Sequence, residues 1–454
     1  MTDSFDARRV ASADGGSIAT DRIASRAGDD MYELISELFP LCRSITGQGT
    51  QQTLEALCSR IPISVRGVPS GSMVLDWVVP PEWNIRGAYI QDSSGRRLVD
   101  FAESNLHVMG YSTPVHRLMP ASELREHLFS IPEHPSWIPY RTSYYQENWG
   151  FCVRDSLLET LTDETYEVCI DSELAPGTLR YGELFIPGAC DREVIISTHI
   201  CHPSLCNDNL SGIALAVQLA AYFMARENRY SYRFLFVPGT IGALAWLSQN
   251  ENRLEAVSHG LVLAGVGDSG HITYKRSRRA DTPIDRAMHE VLARSGDVYS
   301  EFDFSPYGYD ERQYCSPGFD LPIGTFTRTP YGAYPEYHTS ADDLAFVQPD
   351  SLQDSFEKTS QALLFLEADR TYVNLKPRGE PQLGRRGLFE AVRGGGDPRA
   401  IEMAMLWVLS LSDGATSILR IAERAKLAFE SVCEAATALA EAGLLLETAG
   451  SGAD

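Results

Sequence analysis

The sequence predicts an α/β fold: a mostly parallel central sheet flanked by helices, an inserted small β-rich domain, and a winged helix at the C-terminus. Three observations predict it. Between Thr165 and Tyr372, short apolar strands alternate with amphipathic helices, as expected of a sheet covered on both faces. From about Val78 to Pro132 the texture changes to short strands and turns. Beyond a Pro- and Gly-rich stretch, Ala400 to Leu446 reads as three short helices followed by the apolar Leu444-Leu445-Leu446.

Taken in order, residues 1–30 are rich in Ser, Ala, Gly and Asp and are expected to form a disordered tail. The α/β domain is expected over 31–77 and 133–375. It opens with helical spacing in Met31 to Leu41 and in Thr53 to Leu57, separated by the turn-rich Arg43-Ser44-Ile45-Thr46-Gly47-Gln48-Gly49. The inserted domain, 78–132, holds strands at Trp83 to Ile85, Gly87 to Ile90 and Arg97 to Phe101, with a turn at Asp92-Ser93-Ser94-Gly95. Sheet strands follow at Glu193 to Thr198, Tyr232 to Pro238, Gly260 to Gly265 and Pro322 to Phe326. The helices between them are Asn209 to Ala225, Ile241 to Gln249 and Ile284 to Ser295. Residues 376–399 are expected to be a linker and 400–454 the winged helix.

Charge narrows the partners. Of 454 residues, 39 are Lys or Arg and 61 are Asp or Glu, a formal net charge of −22. Such a chain is a poor match to a phosphate backbone or an anionic membrane. The acidity extends to the winged helix, where 400–454 carries three basic and eight acidic residues. Its third helix, about Phe429 to Ala442, has Glu430, Glu434 and Glu441 and no Lys or Arg, whereas a DNA reader presents basic or amide side chains there. A packing or dimerisation module is the expectation, compatible with a homo-oligomer. No apolar run is long enough to span a membrane, and Met1 to Asp30 has no apolar core of a signal peptide. The nine scattered cysteines are then expected as reduced thiols in a cytoplasmic protein.

Four polar loops each follow a predicted strand, and in open α/β sheets such strand ends converge on a ligand. In the first, His199, Cys201, His202, Cys206 and Asp208 fall within ten residues, and Asp208 stands at the start of a long apolar helix. Two imidazoles and a carboxylate at a strand end favour a metal site over a helix cap. The second, Pro238-Gly239-Thr240, is by itself only a strand-to-helix turn. The third ends in Gly267-Asp268, a ligand position or a turn. The fourth surrounds His338 with Tyr, Thr, Ser and Asp, partners able to fix an imidazole tautomer.

These loops carry a resemblance. Cys201-His202-Pro203-Ser204 with Asn207-Asp208-Asn209-Leu210-Ser211-Gly212, Gly267-Asp268, Tyr309-Asp310-Glu311-Arg312-Gln313-Tyr314, and Arg328-Thr329-Pro330-Tyr331-Gly332 with Tyr337-His338-Thr339-Ser340 resemble the DUF4910 zinc aminopeptidase-like proteins, relatives of the M28 aminopeptidases. The likeness spans about residues 31–450. It implies a zinc-peptidase-like fold, with His202 and Asp268 as ligands of one zinc, Asp208 as a carboxylate able to bridge metals, and His338 as a ligand on the far side. His199 is the alternative to His202. Asn209 is implied beside the metal, and Tyr145, Arg312, Arg328 and Tyr331 are implied as substrate-holding residues.

M28 enzymes carry Glu-Glu in the turn after the next strand, the first Glu being the general base and the second a zinc ligand. Here that turn reads Gly239-Thr240. One zinc held by His202, Asp208, Asp268 and His338 is therefore expected rather than two, with Glu311 or Glu336 as the replacement base. The expected activity is zinc-dependent hydrolysis of an amide or peptide bond in an aminoacyl-type small molecule or short peptide. The alternatives are acyl transfer in biosynthesis on the same scaffold, or a metal-binding protein with impaired catalysis. A thiol nucleophile at Cys201 or Cys206 is a further, weaker alternative.

Overall fold

The computed structural model describes residues 24–162, 164–388 and 398–448. They form two compact units. One comprises 24–280 with Val298–Glu357; the other comprises Asp281–Asp297 with 358–448.

The first unit begins with helices α1 (Ala27–Leu38) and α2 (Gln48–Cys58). The start of α1 lies inside the expected 1–30 tail, whose residues 1–23 fall outside the described residues. Close packing explains the early start: the Gly28 N–H donates to Gln353 Oε1 at 2.9 Å, and any Cβ at Gly28 would meet the Pro349 carbonyl.

Strand β1 (Ser64–Pro69) is followed by β2 (Glu82–Gln91), β3 (Arg97–Asp100), β4 (Val115–Pro120), β5 (Thr165–Ala175) and β6 (Thr178–Ile186). The small sheet is antiparallel in the order β3-β2-β5-β4. Its β5 comes from beyond the expected 132 boundary of the insert. Tyr166, Val168, Ile170 and Ser172 alternate inward along β5, and β2 pairs with it from Glu82↔Ala175 to Gln91↔Glu167. The expected turn at Asp92 forms: the Ser94 and Arg96 amides donate to Asp92 Oδ1.

The main sheet continues with β7 (Glu193–His199), helix α3 (Gly212–Met224), β8 (Ser231–Val237), helix α4 (Ile241–Asn250), β9 (Val257–Leu263), β10 (Ile272–Lys275), β11 (Tyr299–Phe302) and β12 (Ile323–Thr327). Its order is β1-β6-β8-β7-β9-β12-β10-β11. The centre, β8-β7-β9-β12, is parallel, while β1-β6, β6-β8 and β12-β10 pair antiparallel. Every residue of β7 and β8 is buried, as a central strand covered on both faces requires. The carboxyl ends of β7, β8, β9 and β12 all point to one edge, and the four polar loops leave from that edge.

The second unit holds helix α5 (Pro283–Ser295), β13 (Thr371–Asn374), α6 (Pro398–Leu411), β14 (Asp413–Ser417), α7 (Ile418–Ala425), α8 (Phe429–Glu441) and β15 (Leu445–Glu447). Two expectations change. The α5 segment was expected in the α/β domain, yet Arg294 pairs with Glu430 at 3.0 Å and Asp281 with Arg420 at 3.0 Å. The winged helix was expected to begin at 400, yet β13 is the central strand of its sheet, ordered β14-β13-β15. The 376–399 stretch thus connects two parts of one module; its residues 389–397 lie outside the described residues. Among the described residues, no helix is long and apolar enough to cross a membrane.

One buried ion network ties the first unit's sheet together. Arg233 of β8 meets Glu193 of β7 at 2.7 Å and Glu183 of β6 at 2.6 Å, and Trp246 Nε1 donates to Glu183 at 3.1 Å. Burial would raise the Glu183 pKa, but Trp246 and Arg233 outweigh it and hold the carboxyl below its usual range. Replacing Arg233 with Met should cost about 3–5 kcal/mol in denaturant unfolding, because two carboxylates lose the buried cation between them and keep only the more exposed Arg66 and Arg253. A loss under about 1 kcal/mol would show that water screens the pair. Since the folded Glu183 pKa is the lower one, its contribution is present above pH 4.5 and fades as pH falls below it.

Candidate metal centre

After β7 ends at His199, the chain loops through Cys201-His202 and returns to the sheet edge at Asp208, just before α3. A second carboxylate shapes that return. Asp342 accepts the Asn207 N–H at 2.6 Å and the Asp208 N–H at 2.9 Å, while its carbonyl accepts the Cys206 N–H at 3.0 Å. Arg43, also buried, donates through Nε to the His202 carbonyl at 2.8 Å. His338 sits in the left-handed region at φ 56°, and its carbonyl accepts the Tyr140 N–H at 2.7 Å.

Three imidazoles converge on the Asp208 carboxylate. His199 Nε2 lies 2.9 Å from Oδ1, His338 Nε2 lies 2.9 Å from Oδ2, and His202 Nε2 lies 3.8 Å from Oδ2. Ligating atoms of His199, His202 and Asp208 fall within 4.8 Å of one another. Asp208 is fully buried. Burial works against its charge, but His202, His199 and His338 outweigh it and hold the carboxyl well below its usual range. Burial drives His202 the other way, down to about 3, so its ring is neutral and keeps a lone pair. Cys201 Sγ stands 3.4 Å from His202 Nδ1, which leaves Nε2 facing the carboxylate. This donor set of imidazole nitrogens and one ionised carboxylate, with a neutral His202 free to ligate, fits zinc.

The structure brings His202, Asp208 and His338 together, and it adds His199 rather than Asp268. Asp268 is consumed elsewhere. Gly265 turns the chain at φ 59°, and the Asp268 carboxylate accepts bonds from Thr329 Oγ1, the Gly270 and Thr329 amides and Asn207 Nδ2 at 2.5–3.2 Å. It joins the loops after β9 and β12. Asn209 is a positioning residue: its Nδ2 donates to Thr198 Oγ1 and to the His199 and Leu263 carbonyls, and its Oδ1 accepts the Gly265 N–H.

A cavity of about 500 Å³ opens onto the cluster. His199, His202 and Asp208 line it, together with Trp77, Tyr144, Tyr145, Tyr309, Tyr337 and Arg312. Tyr145 and Arg312 thus stand where substrate contact was expected. Arg328 does not: it is buried, donating to the Gly270 carbonyl at 2.8 Å and pairing with Asp354 at 2.7 Å. Tyr331 packs edge-on against Tyr309, one ring behind the wall.

The two expected replacement bases are also elsewhere. Glu311 is buried against Lys275 at 2.6 Å, and Glu336 is not part of the lining. Besides Asp208, the acid that lines the cavity is Asp310, which sequence reasoning missed although it stands in the Tyr309-Asp310-Glu311 motif. Asp310 accepts the Thr240 N–H at 2.7 Å, and burial raises its pKa to about 6 against the opposing influence of His199, the Thr240 amide and Arg312. Thr240 has φ 61°, a costly conformation for a β-branched residue, and the Asp310 bond together with Arg312 NH2 on its hydroxyl at 3.3 Å holds it there. The thiols are poor nucleophiles: burial pushes Cys201 up to about 12 and Cys206 higher still.

Comparison with known proteins shows the family and the fold. Residues 32–369 match the family described as a domain of unknown function, DUF4910, and residues 370–447 match a winged helix-turn-helix family. A Clostridium acetobutylicum protein is 47% identical over 422 residues, covering 93% of this chain and 97% of its own. Its name provisionally describes a polysaccharide biosynthesis protein with an aminopeptidase-like domain. A crystal structure of a provisionally named peptidase from the same organism superposes with TM-score 0.89 at 45% identity, covering 96% of this chain and all of that one. A zinc aminopeptidase from Bacillus subtilis shares the fold at 14% identity, with TM-score 0.56, over 76% of this chain and 95% of that one.

The geometry separates ligands from look-alikes. His199→Ala and Asp208→Ala should each weaken zinc binding by more than about 100-fold in a chelator competition, whereas Asp268→Asn should change it by less than about tenfold and lower the melting temperature instead. A 100-fold loss in Asp268→Asn would return Asp268 to the ligand set.

Proposed function

We propose, for a chain that belongs to the DUF4910 family, that it is a zinc-dependent hydrolase cleaving an amide or peptide bond in an aminoacyl-type small substrate, with one zinc at the His199–His202–Asp208–His338 cluster. One observation carries the reading: three imidazoles surround a single ionised, fully buried carboxylate on the floor of an aromatic cavity at the carboxyl edge of the parallel strands.

Zinc bound there would polarise the substrate carbonyl and lower the pKa of water to about 7. The chain's residues supply the rest. Asp310 stands beside the Gly239-Thr240 turn and takes the base role. Its raised pKa suits a carboxylate that accepts a proton from the attacking water and returns it to the leaving nitrogen as the C–N bond breaks. The Thr240 N–H holds one oxygen of that carboxylate. Tyr144, Tyr309 and Tyr337, with hydroxyls kept protonated by burial, shape the walls and exclude water around the scissile bond.

A second reading, transfer of the acyl group to an amine in place of water, is favoured by the biosynthetic name of the Clostridium acetobutylicum relative. Both readings use the same cluster and differ in the acceptor. Asp310→Asn should lower kcat on an aminoacyl-amide substrate by about 10²–10⁴-fold while zinc content stays unchanged. Unchanged turnover would remove Asp310 from the mechanism. Zinc-loaded protein that cleaves no member of an aminoacyl-amide and dipeptide library, yet forms amides when an amine acceptor is added, would replace hydrolysis with transfer.

A further inference from the structure

Arg312 makes no close ion pair, although its charge acts on Asp310. Among the described residues, Arg312 is the single guanidinium lining the cavity and no lysine lines it. Its NH2 donates to Thr240 Oγ1 at 3.3 Å, but its buried Nε has no hydrogen-bond partner, and no carboxylate lies within ion-pairing distance. Most other buried or half-buried cations of this unit are paired: Arg233 with Glu183 and Glu193, Lys275 with Glu311, Arg328 with Asp354. A desolvated guanidinium donor with no partner is costly, and a ligand oxyanion relieves that cost.

The carboxylates on the same wall have roles of their own. Asp208 is held by three imidazoles, and Asp310 accepts the Thr240 N–H. With Asp310 taken up by the attacking water in the proposed mechanism, a substrate ammonium would have no carboxylate reserved for it, whereas a substrate oxyanion finds Arg312. One guanidinium close to two acids suits a singly charged carboxylate; a phosphate dianion would call for more positive charge than the wall offers.

We infer that the substrate bears a carboxylate beside its scissile amide, and that Arg312 binds it while the Trp77–Tyr145 pair, with ring centroids 5.5 Å apart, covers an apolar or ring-shaped portion. The preferred substrate is thus one with a free acid beside the scissile bond, a dipeptide or an N-acyl amino acid, over a neutral amide. This inference rests on the hydrolase reading of the cavity and sharpens the substrate that reading assigns.

Calorimetric titration of the full chain tests it, first with metal removed so that the probe's acid has no zinc to ligate. The probes are N-acetylphenylalanine, N-acetylphenylalaninamide, phenylalaninamide and phenyl phosphate. N-acetylphenylalanine should bind at least about tenfold more tightly than the two amides and more tightly than phenyl phosphate. Arg312→Met should erase the preference for the acid, and Arg312→Lys, which keeps the charge, should retain part of it. The inference is overturned if the cationic or the phosphate probe binds best, if N-acetylphenylalanine does not bind at millimolar concentration, if Arg312→Met, folded by circular dichroism, keeps the preference for the acid, or if Arg312→Lys, likewise folded, retains none of it. Turnover by the zinc-loaded protein is a separate readout. Absence of cleavage with the acid preference intact defeats the hydrolase reading alone, and cleavage without that preference defeats the inference alone.

Discussion

A carboxylate buried to the exclusion of water has to be matched by cations or by hydrogen-bond donors, and Asp208 is so placed. Its two oxygens face His199 and His338 at 2.9 Å, with His202 behind them. Three segments separated in sequence must meet for that to happen: the end of β7, the loop into α3 and the loop after β12. Asp342 makes the meeting possible by binding the amides of Asn207 and Asp208. Asn209, Arg43 and Tyr140 then hold the imidazole-bearing backbone. The parallel centre of the sheet, through the shared direction of its strands, delivers these loops to one edge.

The turn at Gly239-Thr240 carries no carboxylate, and the packing around it explains where one is found instead. A Cβ at Gly239 would lie 3.3 Å from Cys201 Sγ and 3.6 Å from His199 Cβ, so the thiol occupies the space beside the turn. The Gly239 N–H donates to that same sulfur at 3.2 Å. A carboxylate reaches the turn from the opposite side instead, on Asp310, and Arg312 from the same short helical segment braces the Thr240 hydroxyl. In the proposed mechanism the acid therefore comes from across the cavity, not from the turn itself.

The strands of the parallel centre were legible because both faces are covered and their apolar runs are continuous; β7, β8, β9 and β12 lie close to where the sequence places them. His202, Asp208 and His338 were legible through motif resemblance. What failed to show was any pairing made through space. Asp268 has the sequence context of a ligand, but Thr329 and Asn207 consume it. Glu311 has the context of a base, but Lys275, 36 positions earlier, neutralises it and leaves its neighbour Asp310 facing the cavity. The strand Thr371–Asn374 is too short to declare its partners, which come from 413–417 and 445–447, so the winged-helix module looked shorter than it is.

The central claim is that a single metal occupies the imidazole cage around Asp208. Anomalous diffraction at the zinc edge from crystals of zinc-loaded protein tests it most directly. The account predicts one strong peak within ligand distance of His199, His202, His338 and Asp208, about 2.0–2.2 Å from each atom that binds it. Two peaks of comparable height, or a peak bonded to Asp268, would contradict it.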